Sequence, residues 1–444
     1  MKSAVLVFML VICPGAVAGA DSAGGDWPQF RGPTGQGVAD DVELPLEWSE
    51  EKGVRWKTPL PGRGWSSPVI ADGRIWVTTA EEHEADAAQL AELMKAVENV
   101  PVRDEMIAFA SVTLWAIAVD LNTGEIVRRV KLFEPQAPPP IHGLNTYASP
   151  TCVLVDGRVF CHFGTFGTAC IDARSGDVLW RRELKLEHIV GPGSSPVVCR
   201  NLLIVPSDGG DRQYITALDV KTGDTVWEKE RPPIRESNAD QRKAFATPLV
   251  IDVEGVPQAV IPGAQWFIAY DPATGDEMWR VDHGRGFSNV ARPVFDGRTL
   301  FLNTGFGKPQ LWAVRPDGSG DVTESHVAWR ETQQIPAKSS PVLSGGRITL
   351  ISDGGVASCL DAETGDMLWR ERVPGQYSAS PLVGAGRIYF SSHEGRTTVI
   401  ADAAEFEVLA TNDLDGMLMA SPAVAEGDLV LRTDTHLYRI GTGR

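Results

Sequence analysis

The chain has 444 residues, a formal net charge of −17 and 43% hydrophobic residues. So acidic a protein is a poor candidate for nucleic-acid binding, because that function requires clustered lysine and arginine to displace counterions from phosphates. With 45 glycines and 30 prolines, the composition favours many short strands joined by tight turns.

The first 20 residues have the pattern of an export signal. Lys2 precedes a short apolar run, and small residues follow, so we expect a signal peptide over residues 1–20 with cleavage after Ala18 or Ala20. A lipid attached at Cys13 is the alternative, but Ile12 is bulkier than the small residue that usually precedes such a cysteine. No later run reaches the roughly 18 apolar residues of a membrane helix. We therefore expect a soluble periplasmic or secreted protein.

A turn motif recurs along the chain with constant internal spacing. Each copy has an Asp, a Gly four residues later and a Trp eight residues later. The Asp side chain accepts a hydrogen bond from the backbone two residues on, and the Gly supplies the positive φ of a tight reversal. Each copy therefore predicts two strands joined by a short turn. The copies run from Asp172 to Trp180, Asp219 to Trp227, Asp271 to Trp279 and Asp361 to Trp369.

A second motif, a proline that opens an apolar run, alternates with the first. After one longer interval, its copies recur about every 40 to 50 residues, which is the period of four-stranded propeller blades. Eight copies predict an all-β fold, an eight-bladed β-propeller of four-stranded antiparallel blades. The prolines are Pro68, Pro150, Pro196, Pro248, Pro293, Pro341, Pro381 and Pro422.

At these residues the chain resembles the bacterial pyrroloquinoline-quinone (PQQ)-like repeat β-propellers, whose repeat has the form A-x-D-x-x-T-G-x-x-x-W. The resemblance extends over residues 54–440. It implies the propeller fold but no single function, since the family includes quinone-dependent dehydrogenases and a lipoprotein of the outer-membrane barrel-assembly machinery. The opening segment from Asp26 to Val38 is similar to the leader of secreted propellers found in planctomycete-type genomes.

The two ends of the repeat region predict how the ring closes. Residues 53–60 form one strand before the first proline motif, whereas the last repeat, residues 421–440, supplies three strands. We expect the early strand to complete the eighth blade, since closure removes two exposed sheet edges. The propeller then covers residues 54–444, and residues 21–53 form an N-terminal segment that packs on it.

Six tryptophans occupy the blade-end position, and we interpret them as wedges between blades. Arg128 and Ala410 replace Trp in two blades. In blade five, residues 315–322 replace the usual turn. Asp317, Ser319 and Asp321 alternate there as in a calcium loop, but the glycine and distal glutamate of that motif are not in place, so we interpret the loop as a solvated turn and expect no metal site. The tryptophans are Trp56, Trp180, Trp227, Trp279, Trp329 and Trp369.

Blade one carries the largest insertion. Residues 82–109 are rich in helix-forming residues, with Leu90, Leu93, Met94 and Val97 spaced as one helical face and Pro101 as a breaker. We expect a helical insert between the second and third strands of blade one, overhanging one mouth of the central channel.

Five cysteines follow the signal peptide, so they cannot all pair with one another. A two-residue hairpin turn at Asp156 and Gly157 would place Cys152 opposite Cys161, where a disulfide could form in an oxidising compartment. The favoured alternative is that all five are small buried hydrophobic residues.

A binding site is expected on the rim where the loops between blades converge. Four cations, Arg63, Lys243, Arg292 and Lys338, would form a ring there suited to an anionic ligand such as a carboxylate or a sulfated sugar. The alternative is that the rim residues only satisfy loop carbonyls. The remaining candidates are Trp65, His142, Asn145, Tyr147, Gln265, Trp266, Tyr377 and His393.

Two functions are compatible with the sequence. The chain lacks a G-x-S-x-G or H-E-x-x-H motif and has no histidine pair at ligand spacing. We favour a monomeric, non-enzymatic binding or scaffold propeller of the cell envelope, without a cofactor, whose partner is an envelope protein, a polysaccharide or a small anion. The alternative that the resemblance implies is a quinoprotein oxidoreductase with PQQ, a calcium ion held by Glu, Asn and Asp, an Asp base, and Trp266 stacked on the quinone. Missing Cys-Cys and C-x-x-C-H motifs and a shorter chain argue against it.

Overall fold

The computed structural model describes residues 26–39 and 42–442, which form eight four-stranded antiparallel sheets. The first strand of each sheet lies innermost, and inner strands of neighbouring blades contact one another around most of the ring, including those of blades one and eight. The predicted eight-bladed propeller is thus confirmed. The predicted signal peptide and the alternative lipid site at Cys13 lie outside the described residues.

Strands run outward from the axis in chain order within blades one to seven. Blade one contains Val69–Ala71, Arg74–His83, Ser111–Asp120 and Ile126–Phe133, and blade two contains Val153–Val155, Arg158–His162, Thr168–Asp172 and Val178–Arg182. Blade three contains Val197–Cys199, Leu202–Asp208, Gln213–Asp219 and Thr225–Glu230, and blade four contains Leu249–Val253, Val256–Pro262, Trp266–Tyr270 and Glu277–Asp282.

The second half of the ring repeats this order. Blade five contains Val294–Phe295, Leu300–Asn303, Leu311–Val314 and Val327–Glu331, and blade six contains Val342–Ser344, Arg347–Ile351, Val356–Asp361 and Met367–Arg372. Blade seven contains Leu382–Gly384, Arg387–Ser391, Arg396–Ala401 and Val408–Asp413, and blade eight contains Ala423–Ala425, Asp428–Arg432, His436–Ile440 and, outermost, Val54–Pro59.

The closing strand is the predicted one. Val54–Pro59 pairs antiparallel with His436–Ile440, and Trp56 lies opposite Arg439. The early strand therefore completes the eighth blade and leaves no unpaired seam between the ends of the repeat region.

The core lies between the faces of adjacent blades. Small and β-branched residues of the middle strands pack across each gap, and five of the six blade-end tryptophans donate their indole N–H to the next blade, whereas Trp279 donates to Gln258 of its own blade. For example, Trp56 donates to the carbonyl of Leu121 at 2.9 Å and Trp180 to that of Val220 at 3.2 Å. These contacts agree with the interpretation of the tryptophans as wedges.

The insertion in blade one is less helical than predicted. It contains one α-helix, Ala87–Leu93, which begins at the N-cap Asp86, and the 3-10 turns Met94–Val97 and Arg103–Glu105. Residues 82 and 83 continue the preceding strand, and Met106–Ile107 pairs with Ile141–His142. The α-helix passes into the 3-10 turn Met94–Val97, and Pro101, which cannot continue a helix, follows two residues beyond the next turn.

Blade five departs from the repeat as the sequence indicated. Its loop returns to blade four, where Gly320–Asp321 pairs in parallel with Glu277–Asp282.

Within the described ranges no helix has the length and apolarity needed to cross a bilayer.

The N-terminal segment, residues 26–39, crosses the propeller on the axis. Trp27 exchanges backbone hydrogen bonds with Ile70 of blade one, and the carbonyl of Pro28 accepts from the N–H of Leu154 in blade two. At its other end, Val38–Ala39 pairs in parallel with Leu382–Gly384 of blade seven. The segment therefore connects inner strands of blades one, two and seven.

Candidate functional site

The loops that lead into the inner strands converge around one mouth of the channel. They meet the hairpins between second and third strands, as the bridges Arg63–Ala80, Phe287–Phe306 and Tyr377–Ser392 show. Together they enclose a cavity of about 520 Å³, which we call the funnel. This volume suits a small ligand or an inserted side chain.

The floor of the funnel is a ring of side-chain hydroxyls, one from each blade except blade five. Six of the hydroxyl oxygens accept a hydrogen bond from the backbone N–H of the ring residue in the preceding blade, and that of Ser340 accepts from the backbone N–H of Arg292, at 2.9 to 3.2 Å. The chain of bonds is therefore continuous except at blade five, where Arg292 stands. The hydroxyl ring consists of Ser67, Thr151, Ser195, Thr247, Ser340, Ser380 and Ser421, all of which line the funnel.

This ring explains the repeated proline motif and corrects one of its copies. Six of the seven hydroxyl residues stand directly before a proline that opens the inner strand. In blade two the ring residue is Thr151, and Cys152 takes the place of the proline. Pro150 is thus one residue too early to be the equivalent of Pro68, because the ring position is set by the hydrogen bond to Ser195.

The N-terminal segment closes the channel below this floor. Phe30 lines the funnel from beneath. Arg292 holds the segment, since its guanidinium donates to the carbonyl of Phe30 at 2.5 Å, to Gln29 Oε1 at 3.0 Å and to the carbonyl of Pro248 at 3.0 Å. Arg31 donates to the carbonyl of Pro341 at 2.6 Å.

The wall of the funnel is mainly apolar. Trp65, Phe245 and Phe287 are half-buried there, and Leu144 and Phe306 stand at the mouth with 47% and 42% of their surface exposed. The indole of Trp65 is held in place by a 2.9 Å hydrogen bond from Nε1 to the carbonyl of Leu144.

The charged groups of the wall are paired. His142 Nε2 lies 2.9 Å from Glu105, which belongs to the insertion of blade one. Lys243 is buried against Asp240, and burial lowers the pKa of its ammonium group. Lys338 lies 3.3 Å from Asp353. The two lysines of the funnel wall are therefore each paired with a carboxylate, and Glu105 engages the imidazole of His142.

Five of the twelve predicted site residues line the funnel. They come from loops before blades one, two, four and six, as their positions before the inner strands indicated. They are Trp65, His142, Asn145, Lys243 and Lys338.

The predicted cationic ring is not formed as an open set of charges. Arg63 lies outside the funnel, where it pairs with Glu82 at 3.1 Å and donates to two loop carbonyls. Arg292 is buried below the floor. Lys243 and Lys338 remain in the wall but bind the carboxylates named above. Acidic loop neighbours, which the spacing of the cations does not reveal, account for the difference.

The other predicted residues serve the loops themselves. Buried Tyr147 and Tyr377 donate their hydroxyls to the carbonyls of Pro139 and Pro374. Buried Gln265 accepts from the backbone and side chain of Arg235. His393 bonds at 2.9 Å to Ser378, which lines the funnel.

Trp266 does not face the funnel. Its ring lies beneath the guanidinium groups of Arg235 and Arg280, at 5.2 and 5.6 Å from the ring centroid, and its Nε1 donates to the carbonyl of Pro233. These cation–π contacts cover the ring that the sequence suggested for stacking.

Metal-ligand geometry is not found in the described residues, where no three His, Cys, Asp or Glu side chains converge on one point. In the loop of blade five, Asp317 lies 3.6 Å from His326, and Asp321 accepts from Thr323. Local hydrogen bonds thus engage the carboxylates of this loop.

The cysteine arrangement has the predicted register. Arg158 lies opposite Val155 and Phe160 opposite Val153, so Cys161 lies opposite Cys152. Their sulfur atoms are 3.2 Å apart and all five cysteines are free thiols. Burial raises the pKa of Cys161, which favours its thiol form.

The sequence analysis missed the hydroxyl ring, Phe30, Leu144, Phe306, Arg31 and Arg432. The ring had a signal, the hydroxyl residue that stands before most of the motif prolines. The others had none, because their positions depend on how distant segments meet on the axis.

A scan against family models matches the model described as outer membrane protein assembly factor BamB, of the PQQ-like repeat type, at residues 114–255, 264–376 and 309–405. These ranges cover more than half of the chain. A BamB of Burkholderia pseudomallei is 24% identical over 276 residues, covering 59% of this chain and 66% of that protein. A 1-butanol dehydrogenase (quinone) of Thauera butanivorans is 26% identical over 267 residues, covering 55% of this chain and 38% of that protein. The chain thus spans less than two thirds of the length of either relative.

Solved structures agree in fold. A europium-containing methanol dehydrogenase superposes with a TM-score of 0.65 at 11% identity, covering 94% of this chain and 91% of that one. BamB from Moraxella catarrhalis superposes with a TM-score of 0.53 at 16% identity, covering 76% of this chain and 97% of that one. At such identities the likeness concerns the fold alone.

Proposed function

Because the chain belongs to the family of PQQ-like repeat propellers described as outer membrane protein assembly factor BamB, we propose that it is an exported, non-enzymatic propeller of the bacterial cell envelope. In this proposal it binds a polypeptide partner across the mouth of the funnel. The relatives named as assembly factors support a protein as the partner.

The observation that carries the proposal is the apolar mouth. Leu144 and Phe306 stand there with 47% and 42% of their surface exposed, above the half-buried aromatic rings of Trp65, Phe245 and Phe287. Exposed apolar clusters rimmed by polar groups are typical of protein-binding surfaces, and aromatic anchors in pockets carry most of the energy of such interfaces. The paired charges of the wall would form the polar rim.

A quinoprotein oxidoreductase is the second candidate, favoured by relatives named as quinone-dependent dehydrogenases. The funnel residues do not fit the calcium and PQQ set that the resemblance implies. Its carboxylates, Glu105 and Asp240, bind His142 and Lys243.

The amide that would complete the ligand set is engaged as well. Asn145 donates to the carbonyls of Val190 and Pro192 and accepts from Thr146 and Ser149. A calcium ion would have to displace these partners, so the donor set supports the binding function.

A paired set of variants tests the proposed mouth. We expect the double variant Leu144→Ser and Phe306→Ser to bind its partner at least about tenfold more weakly, because it removes two apolar anchors. The matched control is Leu368→Ser with Leu409→Ser, which changes two leucines of similar exposure, 40% and 36%, on the outer strands of blades six and seven.

The partner is first identified with a photo-crosslinking residue at position 306 in cell envelopes, with position 409 as reference, and its affinity is then measured with both purified proteins. Equal loss of affinity in the two double variants, or full affinity in the mouth variant, would contradict the proposal.

A further inference from the structure

The hydroxyl ring on the funnel floor is a ring of hydrogen-bond donors. Each of the seven oxygens already accepts a backbone N–H, which leaves each hydroxyl with one free lone pair and with its own proton to donate. In the part of the chain that the structure describes, none of these hydroxyls donates to another residue. All seven line the cavity, so the ring can offer seven O–H donors to a ligand there.

Three buried arginines surround this ring, and neutral groups accept their hydrogen bonds. Arg292 donates to two carbonyls and an amide oxygen, Arg31 to one carbonyl, and Arg432 to the Ser66 hydroxyl and to the carbonyls of Ser66 and Thr78. Among residues 26–39 and 42–442 none of the three forms an ion pair. Nε and Nη1 of Arg31 and Nε of Arg432 have no hydrogen-bond acceptor there.

Their hydrogen bonds place these guanidinium groups beside the ring. Arg31 binds the carbonyl of Pro341, the residue after Ser340. Arg292 binds the carbonyl of Pro248, the residue after Thr247.

Arg432 completes the set on the opposite side of the ring. It binds the carbonyl of Ser66, the residue before the ring member Ser67, at 3.0 Å. Each of the three guanidinium groups thus binds the carbonyl of a residue that is next in sequence to a ring member, in blades one, four and six.

The Arg-Gly-Pro-Thr-Gly-Gln-Gly stretch of the N-terminal segment is shaped around two of these cations. Gly35 and Gly37 both have positive φ, and a Cβ at either would collide with the guanidinium of Arg292 or Arg31. The glycines therefore let the backbone pass directly over buried charges.

Buried charge without a counter-charge is strongly unfavourable. Burial lowers the pKa of Arg31, Arg292 and Arg432 to about 9 in each case, and Arg292 contributes to the lowering for Arg31. All three remain protonated at neutral pH. Beside the hydroxyl ring of a protein of net charge −17 there are thus three positive charges that pair with no carboxylate of the described residues.

We propose that the funnel floor is a binding site for a compact monovalent anion, held by the hydroxyl ring and by the charges of Arg31, Arg292 and Arg432. The anion is either a free halide or the carboxylate of a larger molecule whose apolar part contacts the aromatic wall. The site does not rest on the proposed polypeptide partner.

Bromide is the probe for the first experiment. Crystals of the full exported chain grown in sodium bromide, with diffraction recorded at the bromine edge, should show an anomalous peak on the axis within hydrogen-bonding distance of the ring hydroxyls. Bromide at surface positions without a peak on the axis would overturn the proposal.

The second experiment measures the midpoint of thermal unfolding against anion concentration. Wild type should show a saturable rise, and Arg31→Met and Ser380→Ala should need at least about tenfold more anion for half of the effect. Ser391→Ala, which removes a buried hydroxyl of blade seven away from the funnel, is the matched control and should follow wild type. Arg292→Ser supplies the eighth hydroxyl but removes a charge, so it should also bind more weakly.

Parallel titrations with sodium bromide, sodium acetate and sodium 3-phenylpropanoate distinguish the two sources. Stronger binding of phenylpropanoate than acetate identifies the carboxylate of a larger molecule, whereas equal action of all three identifies a free anion. A wild type without a saturable rise, or variants indistinguishable from it, would refute the site. The variants at Leu144 and Phe306 should retain the bromide peak even where partner binding is lost, which separates this test from that of the proposed function.

Discussion

The glycine of the Asp-to-Gly turn serves the neighbouring blade as well as its own. Gly223 has φ of +71°, and a Cβ there would lie 2.6 Å from the ring of Trp180 in the preceding blade. The same contact joins Gly124 to Trp56 and Gly365 to Trp329. The Gly of one repeat and the Trp of the preceding repeat therefore contact each other between neighbouring blades.

This contact predicts different costs for two glycine substitutions. Gly255→Ala at φ +85°, with open space around its Cβ, should lower the free energy of unfolding by about 1 kcal/mol through backbone strain alone. Gly223→Ala should lower the free energy of unfolding by about 3 kcal/mol, since overpacking against Trp180 adds about 1–3 kcal/mol. Unfolding of both variants with guanidinium chloride measures the difference. Equal losses of unfolding free energy would show that a Cβ at position 223 does not crowd the indole ring.

Among the secondary-structure elements, the closing strand Val54–Pro59 contacts two blades although it is only six residues long. Val54–Pro59 covers the edge of His436–Ile440, and its Trp56 also reaches Leu121 of blade one. Six residues therefore join blade eight to blade one. The N-terminal segment joins the same ring from inside, so the chain before residue 60 contacts blades on both sides of the seam.

Two truncations isolate the closing strand. A chain that begins at Gly53 keeps this strand, whereas one that begins at Pro61 lacks it, and both lack the N-terminal segment. We expect the first to remain a monomer and the second to aggregate, because it exposes the edges of blade eight and of the core beside it. Light scattering after size-exclusion chromatography gives the result, and a monomeric, cooperatively unfolding second chain would contradict it.

On the scale of the whole molecule, the propeller gathers one loop from every blade at a single mouth. The resulting funnel has an apolar wall, a hydroxyl floor and paired carboxylates, and its floor is closed from below by the chain's own residues 29–31. Such a cavity is suited to binding a ligand. The charged groups of its wall are paired within the protein, and the hydroxyl groups of its floor can donate hydrogen bonds to a ligand.

A titration with PQQ and calcium tests this view of the funnel. We expect no saturable change in absorbance or tryptophan fluorescence at micromolar PQQ, since Glu105, Asp240 and Asn145 are engaged by protein groups. Dye reduction with alcohols or aldose sugars should remain at background. Saturable binding accompanied by dye reduction would instead establish the quinoprotein function.

The number of blades, the closing strand and the positions of the tryptophan wedges could all be predicted from the amino-acid sequence. Each of these depends on local spacing, such as the Asp, Gly and Trp of one hairpin or the proline before one inner strand. The register that brings Cys152 opposite Cys161 followed in the same way from a two-residue turn.

The composition of the site, by contrast, depends on contacts between distant segments and could not be predicted from the sequence. Arg31 and Arg292 come from distant parts of the chain, and they lie near each other because Arg292 binds the N-terminal segment that carries Arg31. Arg63 lies outside the funnel, where it pairs with Glu82, and Lys243 stays in the wall but pairs with Asp240. Which charges remain without a partner depends on distances between segments far apart in sequence, and repeat spacing carries no information about those distances.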